Sequence, residues 1–135
     1  MYQRETEQTP QVERPVKLKA HPQVIEVLKR VRDDLASGKI GARHFDMSTW
    51  GTARSCGTVA CIGGWAATYA RKSGMLDVAI QQIVNERPRA LENLFYPFVL
   101  GMSWRHVKPE QAVRAIDNTL YTGTPRWRQV MKGNS

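Results

Sequence analysis

Cys56 and Cys61 stand five positions apart in the run Ser55-Cys56-Gly57-Thr58-Val59-Ala60-Cys61-Ile62-Gly63-Gly64-Trp65-Ala66-Ala67, where a glycine-bearing loop leads into small residues at helical spacing. A thiol in the first turn of a helix meets unpaired N–H groups and the positive end of the helix dipole, both of which favour the thiolate. His44, or less well His106, could serve as its base, which makes Cys61 with His44 the sharpest enzymatic reading of the chain. Against it stands the absence of the aromatic-flanked cysteine pattern of papain-type enzymes, and the habit of buried cysteines to pack as small apolar groups. A metal centre would need both cysteines plus two of His21, His44 and His106. The cysteine spacing is not a zinc pattern and no second pair follows, so no metal and no cofactor is assigned. A turn could close a Cys56–Cys61 disulfide, but in a reducing compartment two thiols are expected. Asp33 and Asp34 are adjacent on a helix and point to different faces, and Gly63-Gly64 lies within a helix rather than in a phosphate-cradling loop.

Charge and aromatic residues suggest binding rather than catalysis. The 135 residues include 20 Lys and Arg against 12 Asp and Glu, a net charge of +8, which favours an anionic partner through long-range attraction. Trp104-Arg105-His106 and Arg126-Trp127-Arg128 set indoles beside guanidinium groups, a pairing that can stack on bases while contacting phosphates. The binding set read from this pattern is Arg105, Lys108, Arg126, Trp127, Arg128 and Lys132. The competing reading makes both tryptophans core and the arginines a solvated rim. No zinc finger, glycine-rich phosphate loop or helix-turn-helix pattern is present.

The elements that must position these residues are helical. Pro22 to Ser37 carries Val24, Leu28, Val31 and Leu35 at helical spacing, with Pro22 suited to the first turn and Gly38 to the stop. Residues 39–57 read as a loop pinned by Phe45, Met47 and Trp50. A second helix is expected from Val59 to Ser73 with Thr58 as its N-cap. Its Gly63 and Gly64 each cost about 1 kcal/mol relative to alanine, so a helix or an aromatic ring is expected close against bare backbone there, and this helix should be the most buried. Further helices are expected over Leu76 to Glu86, over Arg89 to Phe95 and over Pro109 to Tyr121, with Trp127 and Val130 folding back onto the body. The fold class is therefore mainly α, a small single domain of four to five helices.

Residues 1–20 carry two prolines, four basic and three acidic residues and few apolar groups, and read as a flexible arm that could order on a partner through Val12, Val16 and Leu18. The helical domain is then 21–130, with a tail at 131–135. The core expected from spacing holds Leu28, Val31, Leu35, Trp50, Ile62, Trp65, Ala66, Ile80, Ile83, Leu94, Phe95, Val113, Ile116 and Leu120. No apolar run approaches the roughly 20 residues that span a bilayer, and the first residues lack a signal-peptide pattern, so a cytoplasmic setting is expected.

The segments Phe45-Asp46-Met47-Ser48-Thr49-Trp50, Cys56 to Ala66, Leu94-Phe95-Tyr96-Pro97, Pro109 to Ile116 and Thr122 to Trp127 together resemble a group of small uncharacterised proteins of bacteria and their phages. The resemblance covers about Phe45 to Trp127 and implies no catalytic or binding residue. It implies an accessory or mobile-element setting. The expectation is thus a small basic non-enzymatic accessory protein that binds a larger protein or nucleoprotein with an acidic surface, as an inhibitor or assembly component. Nucleic-acid binding through the basic, aromatic C-terminal region is the alternative, and a cysteine enzyme using Cys61 and His44 the third.

Overall fold

A computed structural model describes residues 14–54, 57–97 and 106–133, with residues 52–54, 57 and 58 as backbone. The described residues form a mainly helical single domain: α1 (Pro22–Ser37), α2 (Ile62–Lys72), α3 (Asp77–Val84), α4 (Arg89–Phe95), α5 (Pro109–Thr122) and α6 (Trp127–Met131). A short antiparallel ribbon, β1 (Thr52–Arg54) with β2 (Gly57–Val59), precedes α2. The expectations for Cys56, Trp104, Arg105 and Val12 fall outside the described residues.

The first helix begins and ends where its residues require. Pro22 sits in its first turn, His21 Nδ1 accepts the Gln23 N–H at 3.1 Å, and Gly38 closes the helix. Val24, Val27, Leu28, Val31 and Leu35 form its buried face. That face makes its broadest contact with α5, and α1 also packs on α2 and α3. At the α1–α5 seam the Arg32 guanidinium holds Asp117 through two bonds of 3.0 and 3.2 Å.

The second helix starts later than its sequence suggests. Thr58 lies in β2 and is not its cap; Cys61 is the N-cap, and its Sγ accepts the Gly64 N–H at 3.4 Å. The reason is long-range pairing. Ala60 N–H donates to the His44 carbonyl, Ala60 O accepts from Asp46, and Cys61 N–H donates to the Thr49 carbonyl at 2.7 Å. Those bonds, and a parallel bridge between Phe45 and Ala60, hold 57–61 extended against the helical preference of its neighbours. The stretch expected to be a plain loop is therefore knitted to the start of α2.

Seven of the eleven residues of α2 are buried, and the expected close approach is made by Trp50. A Cβ at Gly63 would lie 2.8 Å from Trp50 Cη2, and one at Gly64 would fall on the Trp50 carbonyl oxygen and 2.9 Å from the Ala60 Cβ. The Trp50 ring meets Phe95 edge-on with centroids 5.9 Å apart. Most of the expected core is enclosed, but Trp50, Trp65, Ile80 and Val113 are only half-buried and pack against its margin. Trp65 remains at the margin because its indole N–H reaches the His44 carbonyl at 2.9 Å.

Residues 14–20 do not stand apart from the body. Lys17 and Leu18 N–H both donate to the Leu120 carbonyl, at 2.7 and 3.2 Å, and Leu18 is buried in the core. Arg14 lies 4.0 Å from the centre of the Tyr121 ring. Leu18, expected as a contact for a partner, thus packs against its own domain, because alternation in this extended segment turns Val16, Leu18 and Ala20 inward and Lys17 and Lys19 outward.

Two predictions follow from this packing. Gly64→Ala should lower stability by about 3 kcal/mol or more, because the methyl group meets backbone that cannot swing aside; a thermal melt matching the parent's would show that Trp50 does not seat on α2. The second concerns Tyr69, whose hydroxyl donates to Asp34 Oδ2 at 2.6 Å. Burial, reinforced by Asp34, pushes its pKa well above the ordinary 10.0. A raised folded-state pKa adds stability that is complete below about pH 10 and disappears as pH climbs towards the folded value. Urea denaturation should therefore show falling stability above pH about 10, with a flatter alkaline limb in Tyr69→Phe and a cost of about 1–3 kcal/mol to that variant at neutral pH.

Candidate functional site

The turn after α5 carries an uncommon backbone conformation at the surface. Gly123, at φ 88°, ends α5 in a left-handed conformation that turns the chain back across its own helix. Asn118 Nδ2 then donates to the Pro125 carbonyl at 3.1 Å, and Pro125 is buried. Trp127 is 2% exposed, and its indole N–H donates to the Asn93 carbonyl at 2.9 Å. Between these two anchored residues Arg126 adopts φ 55°, ψ 46°, the one left-handed backbone among the described residues other than glycine. That conformation costs about 1–2 kcal/mol for an L-residue and directs the exposed guanidinium away from the core.

Arg126 and Arg128 line a hollow of about 610 Å³, closed on the other side by Asn93, Tyr96 and Pro97 from the end of α4. A second hollow of about 540 Å³ lies along Trp50, Gly51, Gly64 and Arg71, and Tyr96 lines it as well. Tyr96 therefore stands between the two. It tilts 35° against Trp50 with centroids 6.1 Å apart, and the Arg87 guanidinium supports both rings at 5.1 and 5.5 Å. Arg87 is itself fixed by Glu92 at 2.7 Å and by the Ile83 carbonyl at 2.9 Å. Among the described residues lining the two hollows none is acidic.

The residues expected to bind are divided by the fold. Arg126 and Arg128 come together at the first hollow, and Lys132 is exposed at the end of α6. Lys108 is exposed at the N-cap of α5, where its N–H donates to Gln111 Oε1 at 2.8 Å; the length of that helix, about 20 Å, separates it from the Arg126 turn. Trp127 is a correction. Its ring is enclosed and its N–H is bonded, so it anchors the turn and offers no face to a base. Tyr96, Trp50 and Arg71 went unmarked as a group because nothing in their sequence separations shows that α2, the loop before β1 and the end of α4 converge. The available hint was Leu94-Phe95-Tyr96-Pro97, an aromatic pair with one member too many for the inward face of a short helix.

Cys61 carries a structural role. The residue is 1% exposed and is a free thiol. Burial pushes the thiol pKa upward, opposed by the amides of Gly64 and Gly63, and the Asp46 carboxylate raises it further. This is the reverse of the cationic, accessible setting that makes a cysteine a nucleophile. His44 contributes through its backbone, whose carbonyl accepts from Ala60 and from the Trp65 indole. Among the described residues no cluster of three or more His, Cys, Asp or Glu could hold a metal ion. Among them also, no helix is long and apolar enough to cross a membrane.

Comparison with family models, with curated proteins and with solved structures finds no match to this chain.

In a Cys56→Ala background, Cys61 should resist iodoacetamide at neutral pH and label only when denaturant is added. Rapid labelling of the folded protein would mean that the α2 N-cap opens to solvent and that the thiol is available for chemistry.

Proposed function

We propose that this chain is a small, basic, non-enzymatic accessory protein that docks on a larger protein or nucleoprotein with an acidic surface, as an inhibitor or an assembly component. The setting proposed is the cytoplasm of a bacterium carrying phage or mobile-element genes. The observation that carries this reading is the Arg126 turn. Two buried anchors, Pro125 and Trp127, hold one exposed arginine in an unfavourable backbone conformation beside Arg128, at the edge of a hollow with no carboxylate among the described residues that line it. Local strain maintained by its surroundings is most often found where a protein meets a ligand. The excess of basic over acidic residues would speed encounter with an acidic partner, and Arg126 and Lys132 would fix its orientation.

The turn also supplies a clean test. Arg126→Gly removes the charge at a position that favours glycine, so the variant should be as stable as the parent or up to about 1 kcal/mol more stable. Cross-linking in a nuclease-treated lysate of the source cells should then recover an acidic partner with the parent protein and several-fold less with Arg126→Gly and Lys132→Ala combined. Equal recovery with the parent and the variant, across a range of salt concentrations, would sink the proposal.

A further inference from the structure

We propose that the corner between α2 and α3 is a self-association surface, on which a second copy of this chain packs about a two-fold axis and each copy seats Leu76 in a hollow of the other. Among the described residues, Leu76 and Val78 are the large apolar side chains left exposed, at 58% and 57%. Leu76 stands at the N-cap of α3, makes no capping bond there, and occupies a position that favours serine, threonine, asparagine or aspartate. A leucine kept at that position against local preference points to a contact that uses it. The backbone that presents it is fixed. Gly74 turns the chain at φ 67°, Met75 N–H donates to the Ala70 carbonyl at 3.2 Å, and Leu76 N–H donates to Gln23 Oε1 at 3.0 Å. Beside it lies a hollow of about 250 Å³ with Pro22, Val27 and Met75 in its wall. Gln23 lines the same hollow and also holds Leu76, so projection and hollow adjoin.

An apolar projection next to an apolar hollow is what a two-fold contact requires, because in such an interface one patch must complement itself. An unrelated helix could cover Leu76 and Val78, but it would not be matched in advance to the adjoining hollow. The charges agree with a second copy. Asp77 is exposed beside the projection, and Arg30 is exposed on the rim of the hollow. Glu26, on the same rim, is paired with Lys29 at 3.6 Å, which leaves Arg30 to set the sign there. A two-fold axis between projection and hollow brings Asp77 of each copy to Arg30 of the other. The patch shares no residue with the hollow at Arg126, so this inference goes beyond the acidic-partner reading and stands or falls without it.

Sedimentation velocity on the full chain tests this, at about 0.3 M salt so that the repulsion between two copies of net charge +8 is screened. The expected result is a monomer–dimer equilibrium with Kd on the order of 10–100 µM, as suits a contact smaller than about 1,200 Å². Leu76→Ser removes the projection and supplies a preferred N-cap, so the dilute monomer should melt no earlier than the parent while the dimer weakens about tenfold or more. Asp77→Arg and Arg30→Asp, both at exposed positions, should each weaken the dimer several-fold when alone. Mixed in equal amounts, they should recover association, because each copy then meets opposite charges at both pairs of the two-fold contact. A chain that remains monomeric at about 500 µM overturns the inference. So does a Leu76→Ser variant that dimerises like the parent, or a mixture of the two charge variants that associates no better than either alone. A photo-cross-linker at position 76 that captures a different protein from lysate, and no second copy, overturns it as well.

Discussion

The seating of Trp50 on the bare backbone of Gly63 and Gly64 is the contact on which the rest of this structure depends. Glycine in a helix weakens it, and two in succession are retained here because a side chain at either position would collide with Trp50 or its carbonyl. The contact fixes the loop that carries Trp50 against α2. The same loop supplies the Thr49 carbonyl that orients Cys61, and Cys61 in turn caps the helix. The indole also meets the buried Phe95 and the half-buried Tyr96, so the position of α4 is tied to it as well. A single close approach thereby links the loop before the ribbon, the most buried helix and the wall of the hollows.

That arrangement divides chemistry from architecture in an unexpected place. The cysteine that looks reactive in a linear reading is enclosed, its thiol serving as a hydrogen-bond acceptor in an N-cap where serine or aspartate is usual. The tryptophan that looks like a stacking platform is a buried anchor. The arginine between two anchors, unremarkable in composition, is held outward by a left-handed backbone. The exposed groups around the first hollow are therefore charged side chains, Arg126 and Arg128, on a short turn and a short helix held by buried residues behind them.

Much of the architecture was legible beforehand. Pro22 and Pro109 mark helix starts, Gly38 and Gly123 mark ends, and the apolar spacing of Val24, Leu28, Val31 and Leu35 assigns a face, because each of these signals acts within one or two helical turns. The start of α2 was not legible, since the pairing of Ala60 with Phe45, His44 and Asp46 joins segments about 15 residues apart and overrides the local helical pattern. The inward placement of Leu18 escaped for the same reason: its amide and side chain are satisfied by Leu120 and the core around it, a hundred residues away.

By itself the sequence determined a mainly helical domain, the need for a close neighbour, a helix or an aromatic ring, against the glycine pair, and a positive net charge, because periodicity, glycine's missing side chain and the count of ionisable groups are local or additive properties. Only the tertiary structure decided that Trp50 fills that space, that Cys61 and Trp127 are enclosed while Arg71 and Arg126 are exposed, and that Tyr96 stands between two hollows with no acidic residue among their described lining. Those outcomes depend on which distant segments converge, and convergence is settled by the packing of the whole core rather than by any stretch of chain alone.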